Sequence, residues 1–249
     1  MKKTLLFLSF GILSFTACNK KDNDTDKNLG NPDKALNSFI NQESAPIAAQ
    51  WIYKKDLNGQ WTGSFKMQQT DHFVHKINVN NDWEQSIDTK DHTYTFSAAD
   101  FTTLGLNQLW DLEVWNENQE NELNVFETAQ RLEIEVDMDG LNYINPNNGF
   151  RIHFNSDVPA QASNKSGEME VVLYANDNSK GIHHFISIPV SANTTLLNID
   201  PEMLIGFQQF NDVEIHVFQR EMMYLQWFGK EALIQLVTAQ AYKYAFSIY

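Results

Sequence analysis

The sequence predicts an all-β fold, arranged as two tandem β-sandwiches that follow a signal peptide and a flexible tether. Phe and Tyr are frequent, with 17 and 8 copies among 249 residues, and aromatic and β-branched side chains favour strands. Short segments of alternating apolar residues are separated by turn residues such as Asn58-Gly59, which is typical of sandwiches or barrels. Similar segments recur at a spacing of about 100 residues, the size of an immunoglobulin-like sandwich.

The first 17 residues have the pattern of a signal peptide. Lys2 and Lys3 precede an uncharged stretch, 4–17, which is too short for a membrane span of about 20 residues but suits a signal-peptide core. The sequence Phe15-Thr16-Ala17-Cys18 then resembles the lipobox of bacterial lipoproteins, with Phe15 in place of the usual leucine. The resemblance implies cleavage before Cys18, transfer of diacylglycerol to its thiol, and acylation of its new amine by a fatty acid such as palmitate.

Cys18 is the only cysteine of the chain, so no intramolecular disulfide can form and lipidation gives this lone thiol a role. The alternative is a secreted protein with an incidental cysteine. Phe15 argues against that alternative, because an ordinary signal-peptide cleavage site needs a small residue at this position. We therefore expect the protein to contact the membrane through lipid on Cys18.

Residues 18–45 are predicted to hold the lipidated cysteine, the flexible tether and one short helix. Residues 19–34 contain four Lys and four Asp, with Leu29 as the only sizeable apolar side chain, so burial cannot offset the entropy of ordering them. As a coil, this stretch spans about 20–24 Å. The helix is predicted from a proline-aspartate start and a helical spacing of apolar residues, at Pro32, Asp33, Leu36, Phe39 and Ile40.

The body of the chain is predicted to contain more than a dozen short strands. Asn58-Gly59 predicts a hairpin between strands at 51–57 and 60–67. The other predicted strands are 73–79, 93–96, 110–115, 131–138, 150–154, 168–175, 183–189, 213–219, 222–228, 232–238 and 241–249. A loop-rich run at 145–149 places the domain boundary, with the first sandwich at 46–148 and the second at 149–249.

The chain is acidic, with a net charge of −14. Loss of residues 1–17 removes Lys2 and Lys3 and brings the mature chain to −16. Such a charge repels phosphate backbones, so we expect no nucleic-acid partner. It also disfavours adsorption to anionic headgroups, which leaves the lipid as the means of membrane attachment.

Two features of the sequence resemble Bacteroidota lipoproteins. The acidic, lysine-containing run after Cys18 resembles their surface-export signals, which implies an outward-facing position on the outer membrane. The pattern FSAADFTTLGL followed by DLEVWNEN, within 93–116 and partly repeated at 185–219, resembles the immunoglobulin-like modules of SusE/SusF-type lipoproteins. This resemblance implies a cell-surface protein near a glycan-uptake system, but the chain is shorter than those proteins and shows no carbohydrate-binding module after the sandwich.

The six tryptophans are the candidate ligand-binding residues, because aromatic rings stack on sugars. Trp61 and Trp115 are favoured by their polar neighbours. Sandwich cores bury large aromatic side chains, so most of the six are expected to be core residues. Trp51 should share one strand face with Tyr53, whereas Trp110 and Trp115 should lie on opposite faces of theirs.

No motif in the sequence predicts a catalytic residue, a metal ligand set or a cofactor site. The run Asp137-Met138-Asp139-Gly140 resembles the start of a calcium loop, but the expected twelfth-position Glu is replaced by Asn148, and a turn explains the run equally well. His72 and His75 would point to opposite faces of a strand. Neither a zinc-protease helix motif nor a nucleophile elbow is present in the sequence.

These observations predict a non-catalytic binding or accessory module, with glycan as the favoured ligand class. A second hypothesis is a structural envelope component that docks an outer-membrane protein partner through a sheet edge or an apolar face. A third is a hydrolase whose catalytic residues are scattered over loops.

Overall fold

The computed structural model describes residues 30–42, 47–67, 74–86, 93–96, 100, 104–106, 108–128, 133–155, 166–191 and 194–247. The all-β sandwich prediction is confirmed. The strands are β1 Ala49–Lys55, β2 Trp61–Met67, β3 Lys76–Val79, β4 Trp83–Ser86, β5 Thr93–Phe96, β6 Leu109–Trp115, β7 Asn121–Glu127, β8 Glu133–Asp137, β9 Phe150–Asn155, β10 Ser166–Asp177, β11 Ile182–Ser191, β12 Leu196–Ile199, β13 Asp212–Trp227 and β14 Lys230–Ala245. Cys18 and the predicted signal peptide lie outside the described residues.

The predicted amino-terminal helix is confirmed as α1, Pro32–Ile40. The side chain of Asn31 caps it by accepting a hydrogen bond from the main-chain N–H of Asp33 at 2.7 Å, and a proline in the first turn is compatible with a helix start. Residues 32–34, the end of the predicted tether, belong to α1, as the predicted helix start implies. The tether residues 19–29 lie outside the described part of the chain. A 3-10 helix, Pro201–Phe207, is the other helical element of note, and no helix in the described part of the chain is long and apolar enough to cross a membrane.

The described residues form three sheets. The largest has seven strands in the order β11-β10-β13-β14-β1-β2-β5, and the others have the orders β12-β9-β8 and β4-β3-β6-β7. β1 and β14 pair in parallel, with Trp51 opposite Leu236, while β13 and β14 form a long antiparallel hairpin. The strands predicted separately at 213–219 and 222–228 are the single strand β13, and those at 232–238 and 241–249 merge in the same way into β14.

Two hydrophobic cores lie on the inner side of the seven-stranded sheet. The first includes Trp51 and Trp110 and is covered by the four-stranded sheet. The second includes Ile152 and Ile215 and is covered by the three-stranded sheet. The β13–β14 hairpin contributes to both cores, with Trp227 in the first and Ile215 in the second.

The sheets are not divided at the predicted domain boundary. β8 lies before residue 148, yet it pairs with β9 and belongs to the second sandwich. β1 belongs to the first sandwich, yet it pairs with β14 near the end of the chain. Strand pairing therefore continues across the predicted boundary. The division into units at 46–148 and 149–249 stays a prediction about which parts of the chain fold independently.

Helix α1 packs on the outer face of the seven-stranded sheet. Its buried residues Leu36 and Phe39 contact Val172, Phe218 and Val237 in a third apolar cluster. The helix has a single apolar stripe, as expected for an amphipathic helix that covers a sheet. This packing fixes the beginning of the described chain above the centre of the sheet.

Candidate functional site

The two tryptophans predicted to bind ligand lie on different sheets. Trp61 is the first residue of β2 and is half-buried, packed against the first core. Trp115 is the last residue of β6, also half-buried, and the ammonium group of Lys76 lies over its ring at 4.2 Å from the centroid. Because one indole belongs to the seven-stranded sheet and the other to the four-stranded sheet, they do not form one platform on a common strand face.

Half of the tryptophans are core residues. Trp51, Trp110 and Trp227 are at most 1% exposed. Tyr53 is buried on the same face of β1 as Trp51, and Trp110 and Trp115 lie on opposite faces of β6, as the alternation predicts. Burial therefore accounts for these three indoles.

The run that resembles a calcium loop is a turn stabilised by an arginine. Asp139 and Gly140 have φ of 54° and 79°, and the N–H of Leu141 donates to the carbonyl of Met138 at 3.1 Å. Nη2 of Arg151 lies 2.7 Å from Asp137 Oδ2 and 2.9 Å from Asp139 Oδ1. The carboxylates that a cation would need are thus paired with a guanidinium group, and the turn interpretation is the one that the geometry supports.

A cleft of about 410 Å³ lies on the outer face of the seven-stranded sheet, where α1 begins. Its walls are the first turn of α1, the end of β1, and the outer faces of β10 and β13. Its floor includes Ala239 and Ala241 of β14, which lie opposite Phe218 and His216 of β13. The small alanine side chains leave this space beside the helix, and the volume falls in the range of small-ligand pockets.

A carboxylate and an imidazole are joined in this cleft. Glu214 and His216 are two residues apart on β13, so both side chains point to the outer face. Glu214 Oε2 lies 2.9 Å from His216 Nε2, and the two side chains are 22% and 14% exposed. The pair holds the imidazole ring in place at the rim of the floor.

Tyr174 faces the same pair from the neighbouring strand. It lies directly opposite Glu214 in the β10–β13 register. Burial, and secondly the negative charge of Glu214, raise the pKa of Tyr174 above its ordinary value. The phenol therefore stays protonated at neutral pH and remains a hydrogen-bond donor beside a carboxylate.

The opposite wall carries charges of both signs. Lys54 Nζ lies 3.9 Å from Asp33 Oδ1 of the first helical turn, and both side chains are largely exposed. Asp56 follows in the β1–β2 turn, where its Oδ1 accepts hydrogen bonds from the main-chain N–H groups of Asn58 and Gln60 at 2.9 and 2.8 Å. This wall is shaped by a rigid turn and by the capped helix start.

The cleft combines hydrogen-bond donors, acceptors and aromatic surface. Lys54 and Tyr174 can donate, and Asp33 and Glu214 can accept. The ring of Tyr174 is partly buried and gives aromatic surface, whereas Phe218 is only 2% exposed. Opposite charges are interleaved, which suits a neutral polyhydroxylated molecule better than a strongly charged one. Among the described residues no group of three or more His, Cys, Asp or Glu side chains has the arrangement of a metal site.

The polar residues of this cleft are not predicted by any motif in the sequence. A signal exists in Glu214-Ile215-His216, where polar residues alternate with the buried Val213, Ile215 and Val217. That alternation indicates a polar outer face on a strand, but it does not reveal that α1 begins beside it. The cleft arises only when the amino-terminal helix is placed on strands that follow more than 100 residues later.

Comparison with known proteins finds no match: neither a family model nor a curated protein corresponds to this sequence. The fold and the cleft together define the class, an all-β protein of two sandwiches that share one long sheet, with a polar cleft beside its amino-terminal helix.

Proposed function

We propose that this chain is a lipid-anchored outer-membrane protein that acts as a non-catalytic binding module, with glycan as its ligand class. The observation that carries the binding proposal is the cleft of about 410 Å³ beside the start of α1. The anchor rests on the lipobox-like sequence ending at Cys18, and the surface position rests on the resemblance to SusE/SusF-type lipoproteins.

The composition of the cleft supports a sugar ligand. Sugar hydroxyl groups need both donors and acceptors, and Tyr174 and Glu214 supply one of each on adjacent strands. The partly buried ring of Tyr174, rather than the 2% exposed Phe218, supplies the apolar surface for the carbon face of a sugar. Rigid strands carry most of these groups, so little ordering entropy opposes binding.

The position of the cleft is compatible with a membrane-attached protein. Gly30 is the first described residue, and Asn31 and Pro32 line the cleft. Eleven residues lie between Cys18 and Gly30, so the two are at most about 40–43 Å apart when the chain is fully extended. A lipid on Cys18 would therefore hold the cleft near the membrane surface, where a partner transporter could receive its ligand.

Metabolic labelling with a clickable fatty acid tests the anchor. The native chain should be labelled and should partition into the detergent phase, while Cys18→Ser should be unlabelled and remain in the aqueous phase. Equal behaviour of the two chains would reject the lipoprotein proposal. Protease shaving of intact cells that express the native chain then tests whether the body faces outward.

A glycan array and affinity electrophoresis with the Cys18→Ser mature chain test the cleft. Glu214→Gln with His216→Ala should weaken retention by a positive glycan at least tenfold, because hydrogen-bonding groups that the ligand needs are removed. Trp115→Ala is the matched control outside the cleft and should retain binding. Loss of binding in Trp115→Ala alone would move the site to that indole, and retention of no glycan by the unmodified chain would reject the ligand class.

Release of reducing ends from the bound glycan measures catalysis in the same samples. The non-catalytic proposal requires that no release above the protein-free rate occurs. Release that disappears in Glu214→Gln would instead favour the hydrolase hypothesis, with the Glu214–His216 pair as its acid–base group.

A further inference from the structure

The strand β7 forms one end of the four-stranded sheet and carries two large apolar side chains in solvent. Leu123 and Val125 are 62% and 55% exposed, and Leu109 on the neighbouring strand is 63% exposed. All three lie on the outer face, away from the first core. Edge strands with exposed apolar side chains are ready-made sites for pairing with another chain.

The other sheet ends differ from β7. As described, β4, β5 and β12 have only four residues each. β8 has five, with Glu133 and Glu135 among them, and β11 carries Pro189 in its interior. Short strands, charges and proline are common ways of blocking edge pairing, and β7 has seven residues without proline.

The main-chain N–H and C=O groups of β7 that do not bond to β6 belong to the residues with the exposed side chains. The N–H of Asn116 donates to the carbonyl of Glu120 at 3.0 Å, and the N–H of Thr128 donates to the carbonyl of Gln108 at 2.8 Å. In an antiparallel ladder the hydrogen-bonded pairs alternate, so 122, 124 and 126 pair with β6. The N–H and C=O groups of Leu123 and Val125 then point away from β6, and in the described part of the chain β7 pairs with no strand other than β6.

This sheet is strongly acidic. Residues 74–86 and 108–128 contain one Lys and eight Asp or Glu side chains, a net charge of −7 within the described part of the sheet. The single cation, Lys76, is already engaged, with Nζ 3.0 Å from Glu84 Oε2 and over the ring of Trp115. An added strand with lysine or arginine would be attracted, whereas an acidic one would be repelled.

Two alternative occupants fit this edge poorly. A second copy of the chain would bring two sheets of −7 edge to edge, which like-charge repulsion opposes. The segment that precedes α1 has Leu29 as its only sizeable apolar residue between 19 and 34, so it lacks a pair of side chains to lie beside Leu123 and Val125.

We propose that β7 is a docking site for another protein, which adds an extended segment of alternating apolar and basic residues to this edge. Main-chain hydrogen bonds to Leu123 and Val125 provide the register, and the apolar side chains of the added segment pack beside those two residues. The surrounding carboxylates attract its basic side chains and exclude a second acidic copy. This site lies on the four-stranded sheet, remote in the topology from the cleft, and it does not depend on what the cleft binds.

A labelled seven-residue peptide of alternating Lys and Val is the probe, and fluorescence anisotropy with the mature Cys18→Ser chain is the measurement. Val125→Pro removes the outward N–H without removing a bond to β6, and proline is tolerated on edge strands in that orientation. We expect at least tenfold weaker binding for Val125→Pro, although the charge of the protein is unchanged. Val125→Lys is a second variant, with Ile205→Lys as its control because Ile205 is equally exposed on the 3-10 helix.

Three results would overturn the proposal. They are equal binding by Val125→Pro and the unmodified chain, equal binding of a peptide N-methylated on its valine amides, and equal binding of a Glu-Val peptide. The valine amides are the ones that face Leu123 and Val125 when the valine side chains lie beside those two residues. Sedimentation velocity of the mature chain tests whether a second copy binds at β7. A dimer that becomes monomeric in Val125→Pro would assign the edge to a second copy instead. Loss of peptide binding by Val125→Lys with retention by Ile205→Lys supports the proposal even if Val125→Pro fails to fold.

Discussion

The guanidinium group of Arg220 joins the large sheet to the end of α1, because its Nη1 donates a hydrogen bond to the main-chain oxygen of Phe39 at 2.8 Å. Arg220 is 3% exposed, and it also pairs with the carboxylate of Glu168. Gln235 donates in the same way to the carbonyl of Ile40 at 3.1 Å. The last carbonyls of a helix lack partners within the helix, so these two side chains of the sheet complete the end of α1.

Replacement of Arg220 by Met should lower the free energy of unfolding by about 2–3 kcal/mol, because a charged hydrogen bond to a buried carbonyl is lost. Met keeps much of the apolar contact of the arginine stem with the ring of Phe39. Urea unfolding followed by circular dichroism measures the change.

Lys243→Met is the matched control for this measurement. Lys243 forms an ion pair with Asp212 at 3.0 Å, but both side chains are substantially exposed, so the expected loss is below about 1 kcal/mol. Similar losses in the two variants would contradict the inference that Arg220 holds α1 on the sheet.

The first core contains indole rings from two sheets that contact each other. Trp51 of β1 and Trp110 of β6 meet edge to face, with ring centroids 5.6 Å apart. Trp110→Ala should therefore cost about 3–5 kcal/mol of stability, because a large buried aromatic side chain is removed from a packed core. Thermal and urea unfolding provide the measurement.

Trp115 on the same strand is the internal control for Trp110. It lies half-buried on the other face and contacts Lys76 rather than the core, an interaction of about 0.5–2 kcal/mol depending on desolvation. Trp115→Ala should thus destabilise by about 1–2 kcal/mol, clearly less than Trp110→Ala. A large loss at Trp115 and a small one at Trp110 would reverse the assignment of faces.

Local patterns in the sequence predicted local structure well. Asn58-Gly59 predicted the β1–β2 hairpin because the turn needs a positive φ, which Gly59 adopts at 79°. The spacing of Leu36, Phe39 and Ile40 predicted α1, and all three are buried against the sheet. In the β1–β2 turn and in α1, the residues whose pattern predicts the element lie within ten residues of one another.

The long hairpin could not be predicted from the same patterns. Its turn is Phe228-Gly229, with φ of 51° and 75°, and an aromatic residue in that conformation is not a usual turn signal. Polar residues at Gln219 and Glu221 interrupt the apolar inner face where the strand passes from one core to the other. That interruption resembles a strand end in the sequence, so the pattern predicts two strands where the structure has one.

The candidate site was missed because its parts are distant in the sequence. Asp33, Lys54, Tyr174 and Glu214 come from four elements that meet only through the parallel β1–β14 pairing and the packing of α1. A parallel pair has no local turn signal. The tryptophan hypothesis rests on composition and polar neighbours, and the structure places Trp61 and Trp115 half-buried on separate sheets. Ligand binding by either of them stays a prediction.

Gly63 on β2 lies under the ring of Phe96 on β5, its directly opposite residue. A Cβ atom at position 63 would lie 1.8 Å from Phe96 Cε2, and the ring is buried. Gly63→Ala should therefore destabilise the protein by about 1–3 kcal/mol through overpacking. In a double-mutant cycle, Phe96→Leu should recover part of this loss, and strict additivity of the two changes would contradict the contact.

Stability near neutral pH should depend on His184 of β11. Its ring contacts Phe207 edge to face, with centroids 4.6 Å apart, and a Cβ atom on Gly206 would touch the same ring. Burial, and secondly the charge of the adjacent His183, lower the pKa of His184 in the folded protein. The unfolded chain, with a histidine pKa of about 6.5, then binds the proton more readily than the folded one.

Acid therefore favours unfolding at this site, and the stability linked to His184 falls as the pH drops from about 6.5 toward the lower pKa of the folded state. His184→Gln should lose less stability than the unmodified chain when urea midpoints at pH 7.5 and 5.5 are compared. His153→Gln changes a histidine whose side chain is 41% exposed, and this variant should follow the unmodified chain. If His184→Gln and His153→Gln showed the same pH dependence, the packing of the His184 ring against the 3-10 helix would not be what disfavours its protonation.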